Sequence, residues 1–219
     1  MRDFTPVLAR VAGRYRGCGR GTYGYVKSKL THDPVHRDLL ALAEEEHFGD
    51  VLDIGCGRGQ LGIALLESGL ARSVVGIDRR TEHLAQARRA AGCLPYRAVA
   101  QDLVLPPALP QATTALLIDV LYQLTDDAQD AVLLAACLAA RDRVIIRTLD
   151  PDRGVRSLLT LGVERLMRPF SPNSGARVNP WKVARLHASL IDRGFASSVT
   201  PCWGGTPFAN VLIIGRRTR

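Results

Sequence analysis

Long apolar runs are missing from this 219-residue chain, and none approaches the ~20 residues that a membrane-spanning helix needs. The opening Met1-Arg2-Asp3-Phe4-Thr5-Pro6 lacks the apolar core of a secretory leader, so a cytoplasmic location is expected. Cysteine is scarce: the five residues, at 18, 56, 93, 137 and 202, are odd in number and form no Cys-x-x-Cys set. Reduced thiols and no bound metal are the expectation. Internal repeats and low-complexity tracts are absent. Lysine is nearly absent too, supplying only three of the 29 basic residues.

Hydrophobic residues make up 47% of the chain, enough for one domain with a full core. The net charge of +8 is unevenly spread. Residues 1–31 carry seven basic and one acidic side chain, 32–140 carry eight against fifteen, and 141–219 carry fourteen against five. An acidic middle is therefore flanked by two basic ends. An arginine-rich genome would account for part of this excess, and acidic partners would account for the rest.

Residues 51–59, Val-Leu-Asp-Ile-Gly-Cys-Gly-Arg-Gly, read as a buried strand entering a tight turn that opens a helix over Gln60–Ser68, stopped by Gly69. Glycine permits positive φ and close approach of backbone to a ligand, and the helix start presents free N–H groups to it. This is the pattern of a nucleotide-type cofactor loop. Gly57, Gly59 and Gly62 also spell the literal G-x-G-x-x-G of a dinucleotide site. Asp53 argues against that reading, because dinucleotide folds usually keep an apolar residue there. So do glycines that begin one step early, at Gly55, and a chain end that reads as an antiparallel hairpin.

Along the chain, residues 1–32 mix arginine, tyrosine and glycine and read as a basic arm or cap on the main domain, 33–219. Asp33-Pro34 starts a helix with a carboxylate at N-cap and proline at N1. Strands are expected at 51–54, 73–78, 96–100, 115–120 and 144–148, with helices at 81–91 and 125–140. Continuous leucine and β-branched runs, each with a helix beside it, indicate a parallel sheet buried on both faces. An amphipathic helix over 153–168 and a turn-rich loop at 169–175 read as a lid-like insertion at 151–178. Asn179-Pro180 repeats the helix-start signature, for a helix ending at Gly194. Strands at 197–203 and 210–215, joined by Gly204–Pro207, close the sheet as a hairpin.

Val51 to Gly59, with the carboxylates that follow, resembles class I S-adenosylmethionine-dependent methyltransferases. The likeness extends over about residues 33–150 and the closing hairpin. It implies a Rossmann-like α/β fold with a mostly parallel seven-stranded sheet, helices on both faces and a C-terminal antiparallel hairpin. It also implies S-adenosylmethionine as methyl donor, with S-adenosylhomocysteine as product and no metal. On this resemblance Asp53, Gly55 and Gly57 line the methionine part of the cofactor, with Cys56 as a small filler between the glycines. Asp78, followed by Arg79, takes the ribose hydroxyls, since a carboxylate accepts two hydrogen bonds from a diol. Asp102 meets the adenine amino group and Leu103 the ring. Asp119 falls on the fourth motif, beside the transferable methyl. The alternatives are structural: Asp78 as a helix-capping carboxylate, Asp102 as a loop residue and Asp119 as a turn cap.

Tyr122, three residues after Asp119, is expected to orient or deprotonate the acceptor, with a packed core tyrosine as the alternative. Among His32, His36, His83 and His187, His32 at the end of the arm is the catalytic candidate, the others reading as surface or capping residues. Lys29 in the arm is the candidate for the cofactor carboxylate. The apolar helix face Leu158, Leu159 and Leu166, with Phe170 and Trp181, reads either as core or as a greasy acceptor pocket.

The arm Tyr23-Gly24-Tyr25-Val26-Lys27-Ser28-Lys29-Leu30-x-x-Asp33-Pro34, with Asp119-Val120-Leu121-Tyr122, also resembles methyltransferases associated with aryl polyene pigment and related fatty-acid-type pathways. That likeness implies an aromatic or acyl small-molecule acceptor, free or held on an acidic acyl carrier protein that the basic ends would meet. A monomer or homodimer is expected. One competing reading is an RNA methyltransferase gripping phosphates with its basic flanks. Against it stand the acidic middle and a fourth motif without the Asn/Asp-Pro-Pro-Tyr pattern. The other is a non-catalytic cofactor-binding scaffold, against which stand the intact Asp53, Gly55, Gly57 and Asp78. A metal-assisted mechanism would need Asp119 with Asp126 or Asp127, which read instead as the acidic start of a helix.

Overall fold

The computed structural model describes residues 2–103, 109–158, 160, 162 and 178–218. Three helices precede the sheet: α1 (Thr5–Arg14), α2 (Arg20–His32) and α3 (Val35–Glu45). The alternating region supplies β1 (Asp50–Ile54), α4 (Gln60–Glu67), β2 (Ser73–Asp78), α5 (Thr81–Ala91), β3 (Tyr96–Ala100) and β4 (Ala112–Ile118). It continues through α6 (Asp126–Ala139), β5 (Ala140–Leu149), α7 (Val183–Ile191), β6 (Phe195–Pro201) and β7 (Asn210–Arg217). The seven strands lie in the order β3-β2-β1-β4-β5-β7-β6. Every pairing among β1 to β5 is parallel, and β7 runs antiparallel to both of its neighbours. This is the Rossmann-like sheet with a reversed hairpin strand that the resemblance implied.

Strand alternation divides the core in two. Val51, Val74, Leu116, Ile145 and Ile214 face α1 to α4, whereas Leu52, Ile77, Leu117, Ile146 and Ile213 face α6 and α7. The order reverses between β1 and β4, and the carboxyl ends of these strands open the crevice where ligands bind in such sheets.

The N-terminal segment is built into this core. Val7, Leu8 and Val11 of α1, with Tyr15 at its C-cap, are buried against α4 and its surroundings. The helix expected from Asp33-Pro34 begins at Val35 with Pro34 as its N-cap, and Asp33, one residue further out than expected, accepts the Val35 N–H at 3.3 Å. Asn179-Pro180 is a correction: the helix begins at Val183, three residues later. The Asn179 side chain donates to Asp126 at 2.7 Å and its N–H donates to the Tyr122 carbonyl at 2.7 Å, so tertiary bonds take the place of a cap. Asp126 also accepts the Trp181 indole N–H at 2.8 Å, and Trp181 is buried in the core beside Leu186. Trp181 therefore packs as a core residue. The lid-like insertion lies largely outside the described residues, including Leu159, Leu166 and Phe170. Of its described members, Val155 and Leu158 are exposed. No helix among the described residues is long and apolar enough to cross a membrane.

Candidate active site

After Ile54 the chain leaves β1 through Gly55, Gly57 and Gly59, all at positive φ. Space demands glycine as well as conformation. A Cβ on Gly55 would sit 2.7 Å from the Val120 side chain, and one on Gly59 would sit 2.5 Å from the Tyr96 hydroxyl. The Gly55 and Cys56 N–H groups donate to the Ile77 carbonyl at 2.8 and 2.9 Å, tying the loop to the end of β2. Underneath, the fully buried Tyr15 donates its hydroxyl to the Arg58 carbonyl at 2.6 Å. The first helix thus anchors the loop, a role that no local signal in the sequence announced.

Asp78, at the end of β2, accepts the Gly57 N–H on one oxygen and the Arg80 N–H on the other, each at 2.9 Å. Each oxygen keeps a lone pair for a further donor, so the carboxylate is held ready for a diol. Asp53 is 3% exposed, and its Oδ2 has no hydrogen-bond partner among the described residues. Burial, aided by the nearby Asp78 charge, pushes the Asp53 carboxyl up to about 7. A buried carboxylate in this state is a ready partner for a cation. Asp102 lies exposed just after β3, with Leu103 buried beside it, and Arg79 lies exposed after Asp78. These residues, with Gly55, Cys56, Gly57 and Asp119, line one cavity of about 540 Å³. Burial holds the Cys56 thiol well above its usual value, so it remains an uncharged filler.

A second cavity of about 400 Å³ adjoins the first, and Tyr25, Lys29, Asp33, Asp119 and Tyr122 line both. At their junction lies a buried ion cluster. Arg147 of β5 meets Asp33 at 3.0 Å through Nη1 and 2.9 Å through Nη2, and Asp119 at 2.6 Å through Nη1. Lys29 donates to Asp33 at 3.2 Å. Burial works to raise the Asp33 carboxyl, but Arg147 and Lys29 outweigh it and hold the group below its ordinary value. Asp119 has φ +57, the only positive value at a non-glycine among the described residues. Its carboxylate is held by Arg147 and its carbonyl accepts the Gln123 amide. Such strain persists only where the surroundings over-determine it.

The structure brings Tyr122 and Lys29 to both cavities and His32 to the second. Tyr122 is buried in the short 3-10 turn Leu121–Gln123. His32 is exposed, its ring 3.0 Å from the Ser28 carbonyl one turn back in α2. Of the surface or capping roles expected, burial rules out the surface one for His36 and His83, 3% and 7% exposed, while the His36 ring lies 3.4 Å from the Asp33 carbonyl at the start of α3. Burial lowers His36 to about 4, so it is neutral beside Asp33. His187 sits away from both cavities, paired with Ser197. Asp126 is engaged by Asn179, Trp181 and Arg185, turned toward α7 and its approach, not toward Asp119. Sequence reasoning does not reach Arg147 and Asp33 as site residues. An arginine inside Val144-Ile145-Ile146-Arg147-Thr148-Leu149 was the available signal, a lone charge in an apolar strand.

Residues 51–141 match the profile of a family described as a methyltransferase domain. No curated protein matches the chain. Among solved structures, magnesium protoporphyrin IX methyltransferase from Synechocystis PCC 6803 with bound S-adenosylhomocysteine is similar at a TM-score of 0.66 and 20% identity, over 99% of this chain and 100% of that one. The N-methyltransferase NodS from Bradyrhizobium japonicum WM9, also with S-adenosylhomocysteine, gives 0.65 and 13% over 97% and 99%. The pyocyanin biosynthetic protein PhzM gives 0.67 and 21%, covering 96% of this chain and 62% of that one.

Proposed function

We propose that this chain, a class I S-adenosylmethionine-dependent methyltransferase, transfers the cofactor's methyl group to a small aromatic or acyl acceptor. The observation that carries the reading is the convergence of Asp53, Asp78 and Asp102, from the ends of three strands, on one cavity. The partnerless Asp53 oxygen suits the donor's ammonium group, and the amide-held Asp78 carboxylate suits its ribose diol. Asp102 and Leu103 are assigned to the adenine amino group and ring, and Lys29 to the cofactor carboxylate. When bound, the cofactor supplies a methyl group on a sulfonium, already a good leaving group.

The residues then have to position and, where needed, accept a proton. The donor, if bound here, would supply the methyl and take up the electrons of its carbon–sulfur bond, and the chain's own residues would have to align the acceptor with it. The acceptor's proton leaves to a base, for which Tyr122 and His32 are the candidates at the second cavity. A packed position does not disqualify Tyr122, since it lines the junction of the two cavities. Magnesium protoporphyrin and pyocyanin pathway proteins among the structural neighbours support a small-molecule acceptor.

An acceptor carried on an acidic protein is favoured by the exposed Arg10, Arg16, Arg20 and Lys27 of the N-terminal helices. Equal turnover of free and carrier-bound acceptors at low and high salt would remove that part of the reading. The cofactor assignment is tested by calorimetric titration with S-adenosylmethionine. Asp78→Ala removes the acceptor of the Gly57 and Arg80 N–H groups, and cofactor affinity is expected to fall at least tenfold in a protein that still folds. Unchanged affinity would sink the assignment.

A further inference from the structure

The cavity beside the cofactor crevice has chemistry that methyl transfer alone does not use. Its charged residues are already balanced. Arg147 is shared between Asp33 and Asp119, and Lys29 is paired with Asp33. With Lys29 taken by Asp33 and the cofactor carboxylate, and Arg147 by Asp33 and Asp119, a second carboxylate entering this space would find no further lysine or arginine among the described lining residues, and its desolvation would go uncompensated. What remains is polar without net charge. Arg147 Nε, Asn210 Oδ1 and Thr206 Oγ1 are buried atoms with no hydrogen-bond partner among the described residues, and all three residues line this cavity.

The fold brings two of them together. In the β5–β7 register Arg147 pairs with Leu212 and Leu149 with Asn210, which sets Arg147 and Asn210 on the same face of the sheet. Arg147 is 3% and Asn210 8% exposed, so bulk water does not serve these side chains. An unsatisfied buried polar atom costs about 1–3 kcal/mol, and a native fold carries few of them. Three in one wall call for a ligand. Tyr25, Tyr122 and Phe208 add aromatic surface to a wall that also holds Ser28, His32, Pro34 and Thr160.

We propose that this cavity is the acceptor chamber and that it takes an uncharged aromatic bearing at least one hydroxyl or carbonyl oxygen, held by Arg147, Thr206 and Asn210. The inference rests on the cofactor occupying the adjacent crevice, because Asp119 and Tyr122, which line both cavities, mark where the acceptor meets the methyl. Arg147 Nε–H donates to the ligand oxygen, the Asn210 carbonyl oxygen accepts from a ligand hydroxyl, and the Thr206 hydroxyl serves either way. The aromatic side chains supply flat apolar contact.

The test is calorimetric titration of the full chain, saturated with S-adenosylhomocysteine, at neutral pH. The probes are naphthol, hydroxybiphenyl and hydroxyanthraquinone, each against the carboxylate of the same ring system. At least one hydroxylated ring is expected to bind, about tenfold or more tightly than its carboxylate. Thr206→Val and Asn210→Leu should each weaken that binding roughly threefold to tenfold, the worth of one neutral hydrogen bond. Affinity for S-adenosylhomocysteine should stay unchanged in both, which also reports that the variants fold. If one variant does not fold, the other decides. Carboxylates that bind as well, no binding by any hydroxylated ring, or folded variants that bind the preferred hydroxylated ring as tightly as the native chain does would each overturn the proposal. Failure of the native chain to bind S-adenosylhomocysteine would refute the cofactor reading itself, a separate result read before any acceptor is added.

Discussion

Asp53 offers a prediction whose size follows from the structure. Its carboxyl is pushed up to about 7 from an ordinary 3.8 by burial and by Asp78, so near neutrality the free protein holds it about half protonated. If the donor's ammonium pairs with the ionised form, binding must expel this proton whenever it is present. Cofactor affinity then falls about tenfold per pH unit below ~7 and levels off above it, giving roughly a tenfold difference between about pH 6 and about pH 8. The stability of the free protein runs the other way. A raised carboxyl stabilises the fold below its unfolded value, and that contribution, up to about 4 kcal/mol, is lost as pH rises from ~4 through ~7. Saturating cofactor reverses this trend by favouring the ionised form. The assay is calorimetric titration across pH, in buffers of different ionisation enthalpy so that released protons are counted. Asp53→Asn is the control, because it keeps the shape, cannot titrate and cancels the ligand's own ionisation from the comparison. The variant should lose the pH slope and bind about tenfold to a hundredfold more weakly above ~pH 8, the worth of one charge-assisted bond. Wild-type and Asp53→Asn curves with the same slope would refute the reasoning.

Asp78→Ala should lose cofactor binding as described above, and its melting temperature without cofactor should move little compared with its loss of the ligand-induced rise. Tyr15→Phe removes the 2.6 Å bond to the Arg58 carbonyl. It should lower stability by about 0.5–1.5 kcal/mol in denaturant titrations and weaken cofactor binding, although Tyr15 does not line the cofactor cavity. Gly59→Ala combines φ +72 with a Cβ 2.5 Å from the Tyr96 hydroxyl. A loss of about 2–4 kcal/mol is expected from thermal unfolding, and a neutral result would mean that the loop is more accommodating than its geometry indicates.

Much of the proposed cofactor site is legible because its signals are local. Asp53, Asp78 and Asp102 follow or end strands whose apolar runs are unmistakable, and the glycine spacing dictates the turn between β1 and α4. The acceptor side was not legible in the same way. Asn210 comes to the same sheet face as Arg147 only through the antiparallel pairing of β5 with β7, a contact between segments some 60 residues apart. Tyr15 resembled other aromatics of a basic arm, and only the packing of α1 against the core places it beneath the loop. Asn179-Pro180 shows the opposite failure, a strong local cap signature overridden by bonds to Asp126 and Tyr122. His36 combines the two: its helix start was readable from Asp33-Pro34, but its burial depends on the sheet behind it.

The central claim is methyl transfer to a small molecule, and the most direct measurement follows the methyl itself. The purified chain is incubated with methyl-labelled S-adenosylmethionine and a cell extract separated into small-molecule, protein and nucleic-acid fractions. Label should appear in a small-molecule product, and it should disappear with Asp78→Ala. Label recovered in RNA, or cofactor bound without any label leaving it, would contradict the account.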